Sequence, residues 1–265
     1  MDNSVRAKKH LGQHFLADAH YARKIADAVP ASRTDSVLEI GPGTGALSVH
    51  LQERFPRFHM VELDSDVVPV LQKRLGQSGW TIHQANALSF DFEEAGFPLH
   101  VVGNLPYVTG ARIIHKALMY GSRIRSCTFM VQREVAERIA ASPHGKTIGY
   151  LSIFCQFFGT PRILFHVPPG AFVPPPTVQS SVFQIAIEEN VEEKLPVDQW
   201  KTFFHFVDIA YRMRRKVLPN ALAPLVDKQV CARALAHEGL AELVRPEDLS
   251  VDEWLRLFTR VRGGG

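Results

Sequence analysis

The feature that most constrains the fold is a short apolar strand pattern followed at once by a glycine-rich turn. Residues 37–40 run into residues 41–45, which read Gly-Pro-Gly-Thr-Gly, and a helical pattern from Ala46 to about Phe55 comes next. Glycines allow the backbone to turn sharply and to approach a ligand closely, while the helix N-terminus adds partial positive charge. The pattern predicts the first strand and helix of a parallel α/β sheet, with a ligand at the carboxyl edge.

Further apolar runs alternate with helical patterns along the next 140 residues or so. The expected strands are residues 60–63, 81–84, 99–103, 127–132, 163–167 and 181–187. Helices are expected at residues 18–29, at residues 113–118 and at residues 133–141. Strands that alternate with helices in this way predict an α/β fold with a doubly wound, mostly parallel sheet.

The composition changes after the last of these strands. Residues 188–196 form an acidic segment that ends in proline, and only helical patterns follow it. The apolar positions of the first of these helices recur at helical spacing and indicate a core-facing stripe: Trp200, Phe203, Phe204, Val207 and Tyr211. Residues 250–253 form a capping box that opens a last helix. We therefore divide the chain into an α/β catalytic domain at residues 1–190 and a small all-α domain at residues 191–265.

The composition excludes some classes of protein but does not identify a binding partner. The net charge of +3 over 265 residues permits an anionic partner but does not establish one. The three cysteines lie far apart and form no Cys-x-x-Cys pair, so neither a zinc site nor a disulfide framework is expected. No apolar run is long enough to span a bilayer and no leader pattern begins the chain, so we expect a cytoplasmic protein without membrane association. Nothing in the sequence requires more than a monomer.

An acidic residue follows the glycine-rich turn at an informative distance. Glu62 ends the second strand about 20 residues after the turn, the spacing at which a carboxylate meets a ribose hydroxyl. The turn departs from the Gly-x-Gly-x-x-Gly pattern that binds a pyrophosphate. A ligand with a ribose and no pyrophosphate, such as S-adenosylmethionine, therefore fits better. The alternative is an ordinary exposed acid at the end of a strand.

The chemistry is predicted from residues 103–107, Gly-Asn-Leu-Pro-Tyr, at the end of the fourth strand. An exocyclic amine on a nucleobase is a poor nucleophile, because its lone pair is delocalised into the ring. The Asn104 amide oxygen and the Leu105 carbonyl can accept hydrogen bonds from that amine, while Pro106 biases Leu105 towards an extended conformation. Tyr107 can stack on the base, a contact worth roughly 1–3 kcal/mol. The alternative is a simple Asn-Pro turn after a strand.

Two basic groups are candidates for contact with phosphates. The densest is the cluster Arg212, Arg214, Arg215 and Lys216. It is either a solvated helix face or a phosphate-holding group at the mouth of a cleft, and the residues alone do not separate the two readings. Lys8 and Lys9 form a basic arm at the N-terminus.

Taken together, these segments resemble the ribosomal RNA adenine N6-dimethyltransferases, the KsgA/Dim1 family, over nearly the whole chain. The residues that carry the resemblance are 9–16, 39–45, 103–107, 132–138, 172–181 and 214–216. The glycine-rich turn and the Asn-Leu-Pro-Tyr motif alone would also suit other adenine methylases.

The resemblance implies a class I, Rossmann-like, S-adenosylmethionine-dependent methyltransferase with a small helical domain. It implies dimethylation of N6 on two adjacent adenines in the 3′-terminal hairpin loop of small-subunit (16S) ribosomal RNA, within an assembling, pre-30S-like particle. One alternative is a large-subunit rRNA adenine N6-methyltransferase of the antibiotic-resistance type, which shares the N-terminal motifs. A second is a non-catalytic small-subunit assembly factor that keeps the fold.

The resemblance also assigns roles by matching position. The cofactor-binding residues would be His14, Leu16, Gly41, Gly43, Glu62, Asn86 and Asn104. The catalytic, base-holding residues would be Asn104, Leu105, Pro106 and Tyr107, with Phe172 as a second aromatic face. The basic arm and cluster, Lys8, Lys9, Arg212, Arg214, Arg215 and Lys216, would contact RNA, and no metal is implied.

Two positions depart from the usual family pattern. His14 stands where the family usually has asparagine, and Asn86 stands where it usually has aspartate. Replacing a charged acceptor by a neutral one at residue 86 is expected to cost about 1 kcal/mol of cofactor binding. The departures therefore concern cofactor contacts and leave the proposed chemistry unchanged.

Overall fold

A computed structural model describes residues 14–76, 79–145 and 147–263 of the chain. The chain groups into two compact units. The first consists of residues 1–136 and 160–189, and the second of residues 137–159 and 190–265. The sequence predicts one boundary after residue 190, whereas the structure adds residues 137–159 to the second unit.

Among the residues that the structure describes, the strands lie before residue 188. They are β1 (Phe15–Leu16), β2 (Ser36–Ile40), β3 (Arg57–Glu62), β4 (Trp80–Gln84), β5 (Leu99–Asn104), β6 (Ile124–Gln132), β7 (Gly159–Val167), β8 (Phe172–Val173) and β9 (Ser180–Ile187). The helices of this stretch are α1 (Ala19–Ala28), α2 (Ser48–Arg54), α3 (Val68–Leu75), α4 (Gly110–Leu118), α5 (Arg133–Ile139) and α6 (Tyr150–Phe158).

Seven strands form one sheet in the order β4-β3-β2-β5-β6-β9-β7. The first five are parallel to one another, and β9 runs antiparallel to β6. All five residues of β2 are buried, as expected for a strand covered on both faces. The strand order reverses between β2 and β5, and ligands of open α/β sheets bind outside the carboxyl ends of the strands at such a point. The predicted doubly wound, mostly parallel sheet is confirmed.

The helix predictions are confirmed in part. The predicted cap of α1 is present, because the Asp18 carboxylate accepts a hydrogen bond from the amide of His20 at 2.8 Å. The prediction that the next helix begins at Ala46 was wrong, since turns precede its start at Ser48. Sequence reasoning missed α3 and α6. Six of the nine residues of α6 are buried, so its sequence lacks the polar face that marks an amphipathic helix.

The N-terminal segment is held by a two-stranded sheet that the sequence did not indicate. Strand β1 pairs antiparallel with β8, with Leu16 opposite Phe172. The amide of Ala17 extends this pairing by donating to the carbonyl of Ala171 at 2.8 Å. Leu16 and Phe172 are both part of the buried hydrophobic core of the α/β unit. Residues 14–17 are therefore fixed to the proline-rich loop near the end of that unit.

The second unit is helical, as predicted. Its remaining helices are α7 (Val191–Lys194), α8 (Val197–Arg212), α9 (Leu218–Ala221), α10 (Lys228–His237) and α11 (Val251–Gly263). The predicted stripe of α8 is buried except for Tyr211, which is half-buried, and Phe157 of α6 lies 5.6 Å from the rings of both Trp200 and Phe203. In the parts of the chain that the structure describes, no helix is long and apolar enough to cross a membrane.

Candidate functional site

A cavity of about 210 Å³ opens at the carboxyl ends of β2, β3 and β5. Its walls come from the N-terminal segment, the glycine-rich turn, the end of β3, the loop after β4 and the Asn-Leu-Pro-Tyr motif. Most residues that the sequence assigned to a site line it: His14, Gly41, Gly43, Glu62, Asn86, Asn104, Leu105, Pro106 and Tyr107. A smaller cavity of about 30 Å³ shares Gly41, Gly43 and Asn104 with it and is also lined by Leu16.

Glu62 lies at the end of β3 and is buried. Its Oε2 accepts a hydrogen bond from the amide of Gly43 at 3.1 Å, and its Oε1 accepts one from the amide of Asp64 at 2.8 Å. Burial raises the pKa of Glu62, although these two backbone donors oppose the rise. Each oxygen keeps acceptor capacity beyond its backbone bond, so the carboxylate can still receive a pair of hydroxyl groups.

The glycine-rich turn needs glycine for conformation and for space. Gly41 and Gly43 have φ values of 66° and 54°, in the left-handed region that favours glycine. A Cβ on Gly43 would also lie 2.8 Å from Cδ1 of Phe15. Glycine at residue 43 therefore lets the N-terminal segment lie directly over the turn, where Phe15 lines both cavities.

Sequence reasoning missed a buried acid beneath this turn. Glu39 on β2 is 2% exposed, lines the smaller cavity and accepts a hydrogen bond from the Ser48 hydroxyl at 2.6 Å. Burial raises its pKa to about 8, and the neighbouring Glu62 adds to the rise. The available signal was an acid in the middle of an apolar strand, because buried glutamates are rare unless they are paired or functional. Two buried carboxyl groups at this turn disfavour a phosphate and favour a cationic ligand.

Glu39 gives the protein a specific pH dependence. A carboxyl group whose pKa is raised in the folded state stabilises the fold fully below its unfolded pKa, and that stability is lost as pH rises through the folded pKa. The window for Glu39 runs from 4.5 to about 8. We expect Glu39→Gln to flatten the fall of Tm across this window and to be the more stable protein at its upper end. Thermal unfolding of both proteins at a series of pH values checks this, and parallel curves would contradict it.

Asn104 is oriented by the N-terminal segment. Its Nδ2 donates to the carbonyl oxygen of His14 at 2.9 Å. Because a carbonyl oxygen can only accept, this bond assigns the NH2 group to the His14 side and leaves Oδ1 as an acceptor for another donor. A Cβ on Gly103 would lie 2.5 Å from the carbonyl oxygen of Ile40, so a glycine there brings β5 close to the end of β2. The amide is thus placed beside the glycine-rich turn.

The rest of the motif is a rigid turn from β5 into α4. The amide of Leu105 donates to the carbonyl of Met130 at 3.0 Å, and the carbonyl of Pro106 accepts from the amide of Gly110 at 2.8 Å. The Tyr107 hydroxyl lies 3.4 Å from Oγ of Ser180. The Tyr107 ring lies 5.5 Å from the imidazole of His14, tilted by 31°. An aromatic face therefore stands beside the acceptor pair of Asn104 and Leu105.

The loop after β4 forms another part of the cavity wall. Oδ1 of Asn86 accepts a hydrogen bond from the amide of Leu88 at 2.9 Å, which closes the loop into a tight turn. Lys116 of α4, a residue that sequence reasoning missed, donates to the carbonyl of Ala87 at 3.0 Å and to the carbonyl of Phe90. Burial lowers the pKa of Lys116, although a nearby carboxylate opposes the change. Lys116 therefore fixes the loop that presents Asn86 to the cavity.

We expect Lys116→Met to weaken binding of the nucleoside end of the ligand without slowing chemistry. A hydrogen bond to a charged group is worth about 1.5–3 kcal/mol, so the loss is expected to raise the Kd for S-adenosylmethionine by about tenfold or more. Calorimetry should show this change, while kcat at saturating cofactor stays near the wild-type value. Lys24→Met is the matched control, since the ammonium groups of Lys24 and Lys116 each lie over a phenylalanine ring, but the ring under Lys24 is Phe165 of β7 and not part of the Asn86 loop. A lowered kcat with an unchanged Kd would remove Lys116 from this role.

Phe172 does not take the place that the sequence assigned to it. The resemblance predicted a second aromatic face for the base, but the Phe172 side chain is 2% exposed and packs in the hydrophobic core. Phe172 does not line either of the two cavities. It lies opposite Leu16 in the two-stranded sheet, and both side chains are buried in the core. In this structure Phe172 packs against the N-terminal segment, and Tyr107 is the aromatic residue of the motif that lines the cavity.

The candidate RNA-binding residues fall into two groups. Lys8 and Lys9 lie outside the described residues. In the helical unit, Arg212 pairs with Asp208 one turn earlier, and Nε of Arg214 lies 3.4 Å from a carboxylate oxygen of Glu247. Arg215 and Lys216 are exposed. Within the cluster, Arg212 and Arg214 are therefore paired with acids, and Arg215 and Lys216 are exposed to solvent.

The cavity suits S-adenosylmethionine by the chemistry of its lining. Glu62 offers two acceptors for a ribose, the Asn86 loop offers amide and backbone groups for a purine, and the buried carboxyl groups favour a ligand with positive charge. No group of three or more His, Cys, Asp or Glu side chains suited to a metal ion occurs within the described ranges.

Sequence comparisons cover almost the whole chain. The family model described as "Ribosomal RNA adenine dimethylase" matches residues 4–262. A protein of Pseudomonas putida named "Ribosomal RNA small subunit methyltransferase A" is 39% identical over 256 residues, which cover 95% of this chain and 94% of the relative. A protein of Pseudomonas aeruginosa with the same name is 39% identical over 97% of this chain and 95% of its own length.

Comparisons with solved structures agree on the fold. A dimethyladenosine transferase from Plasmodium falciparum aligns with a TM-score of 0.81 at 23% identity, over 94% of this chain and 98% of the other. The 23S rRNA methyltransferase ErmE aligns with a TM-score of 0.71 at 21% identity, over 94% and 99%. The class I methyltransferase fold predicted from the sequence is confirmed. With the family model spanning the site and both units, the chain belongs to the ribosomal RNA adenine dimethylase family, which consists of S-adenosylmethionine-dependent rRNA methyltransferases.

Proposed function

We propose that this enzyme transfers methyl groups from S-adenosylmethionine to N6 of two adjacent adenines in the 3′-terminal hairpin loop of small-subunit (16S) rRNA, dimethylating both. The observation that carries the proposal is the pair of neutral acceptors, the Asn104 Oδ1 and the Leu105 carbonyl, beside the cavity that fits the cofactor. The substrate assignment is supported by the small-subunit methyltransferase name that the 39%-identical relatives share.

The acceptor pair explains how a poor nucleophile reacts. Hydrogen bonds from the adenine N6 amine to Oδ1 of Asn104 and to the carbonyl of Leu105 draw the nitrogen towards tetrahedral geometry, so its lone pair leaves the ring. The Tyr107 face holds the base by stacking. Such a base must be extruded from its RNA stack before it enters the site. No charged base is needed at the nitrogen, because the proton can leave after the methyl group has been added.

The cofactor is held by residues around the glycine-rich turn. When bound, S-adenosylmethionine supplies an electrophilic methyl group on a sulfonium. Glu62 would accept from the ribose hydroxyls, and the Asn86 loop would receive the adenine. Glu39 would accept from the ammonium of the amino-acid part, since it is the buried acid of the smaller cavity. Phe15 covers the turn over Gly43 and helps to exclude water.

Two alternatives are separable from the proposal. A large-subunit rRNA methylase is favoured only by the fold shared with ErmE, which at 21% identity supports no substrate. A non-catalytic assembly factor is disfavoured by the intact acceptor pair and by the cavity beside it. We further propose that the substrate is rRNA within an assembling small subunit, that the protein acts as a monomer, and that it works in the cytoplasm.

The test is a methylation assay with labelled S-adenosylmethionine. Small-subunit particles that lack the modification and naked large-subunit rRNA are incubated with the enzyme, and mass spectrometry of RNA fragments locates the products. We expect two adjacent dimethyladenines in the 3′-terminal hairpin of the small-subunit RNA. Labelling confined to the large-subunit RNA, or none in either RNA, would refute the proposal.

A further inference from the structure

A groove on the helical unit lies apart from the predicted cluster of residues 212–216. It has a volume of about 580 Å³ and is lined by Lys194, Glu238, Leu255, Arg256, Thr259, Arg260 and Gly263. All of these residues belong to the second compact unit. Three are cations and one is an acid, so the lining carries a net charge of +2.

Two arginines of the groove share one carboxylate. Nε of Arg256 lies 3.2 Å from Oε2 of Glu238, and Nε of Arg260 lies 3.3 Å from Oε1 of the same side chain. Glu238 is only 12% exposed, whereas the arginine side chains are 52% and 47% exposed. Although burial opposes it, hydrogen bonding to Arg260 and His237 holds the pKa of Glu238 below its ordinary value. The carboxylate therefore stays charged and orients both guanidinium groups.

This arrangement is more than a solvated helix face. Arg256 and Arg260 stand four residues apart on α11, and like charges at that spacing destabilise a helix. Their Nε atoms contact Glu238, and about half of each arginine side chain is exposed in the groove that both residues line, so a ligand in the groove can reach the guanidinium groups. Lys194 approaches from α7, where one of its three donors reaches the carbonyl of Phe157 at 3.0 Å. The result is a pair of preoriented forks with a third cation in one concave surface.

The chemistry of these donors specifies the ligand. Guanidinium forks match the tetrahedral, anionic oxygens of phosphate, and a concave surface with a net positive charge raises the local concentration of a polyanion. We propose that this groove binds the phosphate backbone of the substrate rRNA, at a surface separate from residues 212–216. The inference rests on the proposed function for the identity of the RNA. The groove would contribute to the affinity for rRNA, whereas methyl transfer would take place in the α/β unit.

The decisive measurement is the salt dependence of RNA binding by the full chain. Each phosphate contact contributes a slope of about −0.9 for duplex or about −0.7 for single-stranded nucleic acid in a plot of log K against log salt. The double variant Arg256→Gln/Arg260→Gln is therefore expected to bind purified 16S rRNA with a slope that is smaller in magnitude by about 1.4 to 1.8. Its Kd for S-adenosylmethionine and its kcat at saturating RNA are expected to stay at wild-type values, while KM for RNA rises.

The matched control removes two exposed arginines from the α/β unit, Arg23→Gln/Arg33→Gln, and has the same net charge as the test variant. A slope equal to that of the wild type, or one reduced equally by the control, would overturn the proposal. So would normal binding to purified 16S rRNA with weakened binding to assembled particles, because that result assigns the groove to a protein partner. The slope is read without turnover, so absent methylation would count against the proposed function alone.

A second variant keeps the arginines and the fold. Thr259 is exposed in the groove between them, and Thr259→Glu places a carboxylate there without removing Glu238 or either guanidinium. We expect weaker binding to 16S rRNA and a smaller salt slope, with unchanged Tm. If the double arginine variant fails to fold, this variant decides the question, and wild-type RNA affinity in it would refute the groove as a phosphate site.

Discussion

Asn104→Ala is expected to lose methyl transfer while it keeps its fold. The side chain offers Oδ1 to the adenine amine, and among the described residues its hydrogen bond runs from Nδ2 to the carbonyl of His14. Removal of one preoriented hydrogen-bonding group from a reacting centre lowers kcat by about 10²–10³-fold. A single neutral hydrogen bond is worth only about 0.5–1.5 kcal/mol, so the loss of the His14 contact should change cofactor affinity by no more than roughly tenfold.

Single-turnover methylation of small-subunit particles, together with calorimetry for the cofactor, measures both effects. Asn190→Ala is the matched control, because it removes an exposed asparagine amide from a helix boundary outside the cavity. Tyr107→Phe is a second control and should keep most activity, since the hydroxyl only approaches Ser180 at 3.4 Å while the ring remains. Near-normal turnover in Asn104→Ala would refute the role assigned to its amide oxygen.

Glu62→Ala is expected to have the largest effect on cofactor binding. Hydrogen bonds to a charged group are worth about 1.5–3 kcal/mol each, so the loss of both ribose contacts should raise the Kd for S-adenosylmethionine about 100-fold or more. The variant also leaves the amides of Gly43 and Asp64 without their carboxylate partner. The fold should nevertheless persist, because burial already disfavours the ionised form of Glu62 and its removal relieves that penalty.

Isothermal titration with S-adenosylmethionine measures the change in Kd, and thermal unfolding measures whether the fold of Glu62→Ala persists. Glu53→Ala is the control for loss of a carboxylate, because Glu53 is an exposed residue of α2 that lines neither cavity. An unchanged Kd in Glu62→Ala would exclude Glu62 from the ribose site. If Glu62→Ala lowers the Tm strongly but leaves the Kd of the folded fraction unchanged, the carboxylate stabilises the turn and does not bind the ligand.

Several features follow from the sequence alone because they depend on local pattern. The apolar run of β2 and the glycines after it can be read locally, because a strand that is to be covered on both faces must be continuously apolar and a left-handed turn favours glycine. Asn104, Leu105 and Glu62 could be predicted as site residues from a similarly local pattern. Glu62 and Asn104 are the last residues of β3 and β5, Leu105 comes directly after β5, and the carboxyl ends of parallel strands meet at one edge of the sheet.

Other features were decided only by tertiary structure. The pairing of Leu16 with Phe172 joins segments more than 150 residues apart through strands of two residues, too short to leave a periodic pattern. That pairing buries Phe172, where sequence reasoning placed it against a base. The burial of Glu39, the two loop carbonyls bound by Lys116, and the carboxylate shared by Arg256 and Arg260 likewise arise where separate elements pack. The local sequence pattern determines which side chains stand at each end of a strand. The burial of each side chain and its hydrogen-bonding partners are determined by residues distant in sequence.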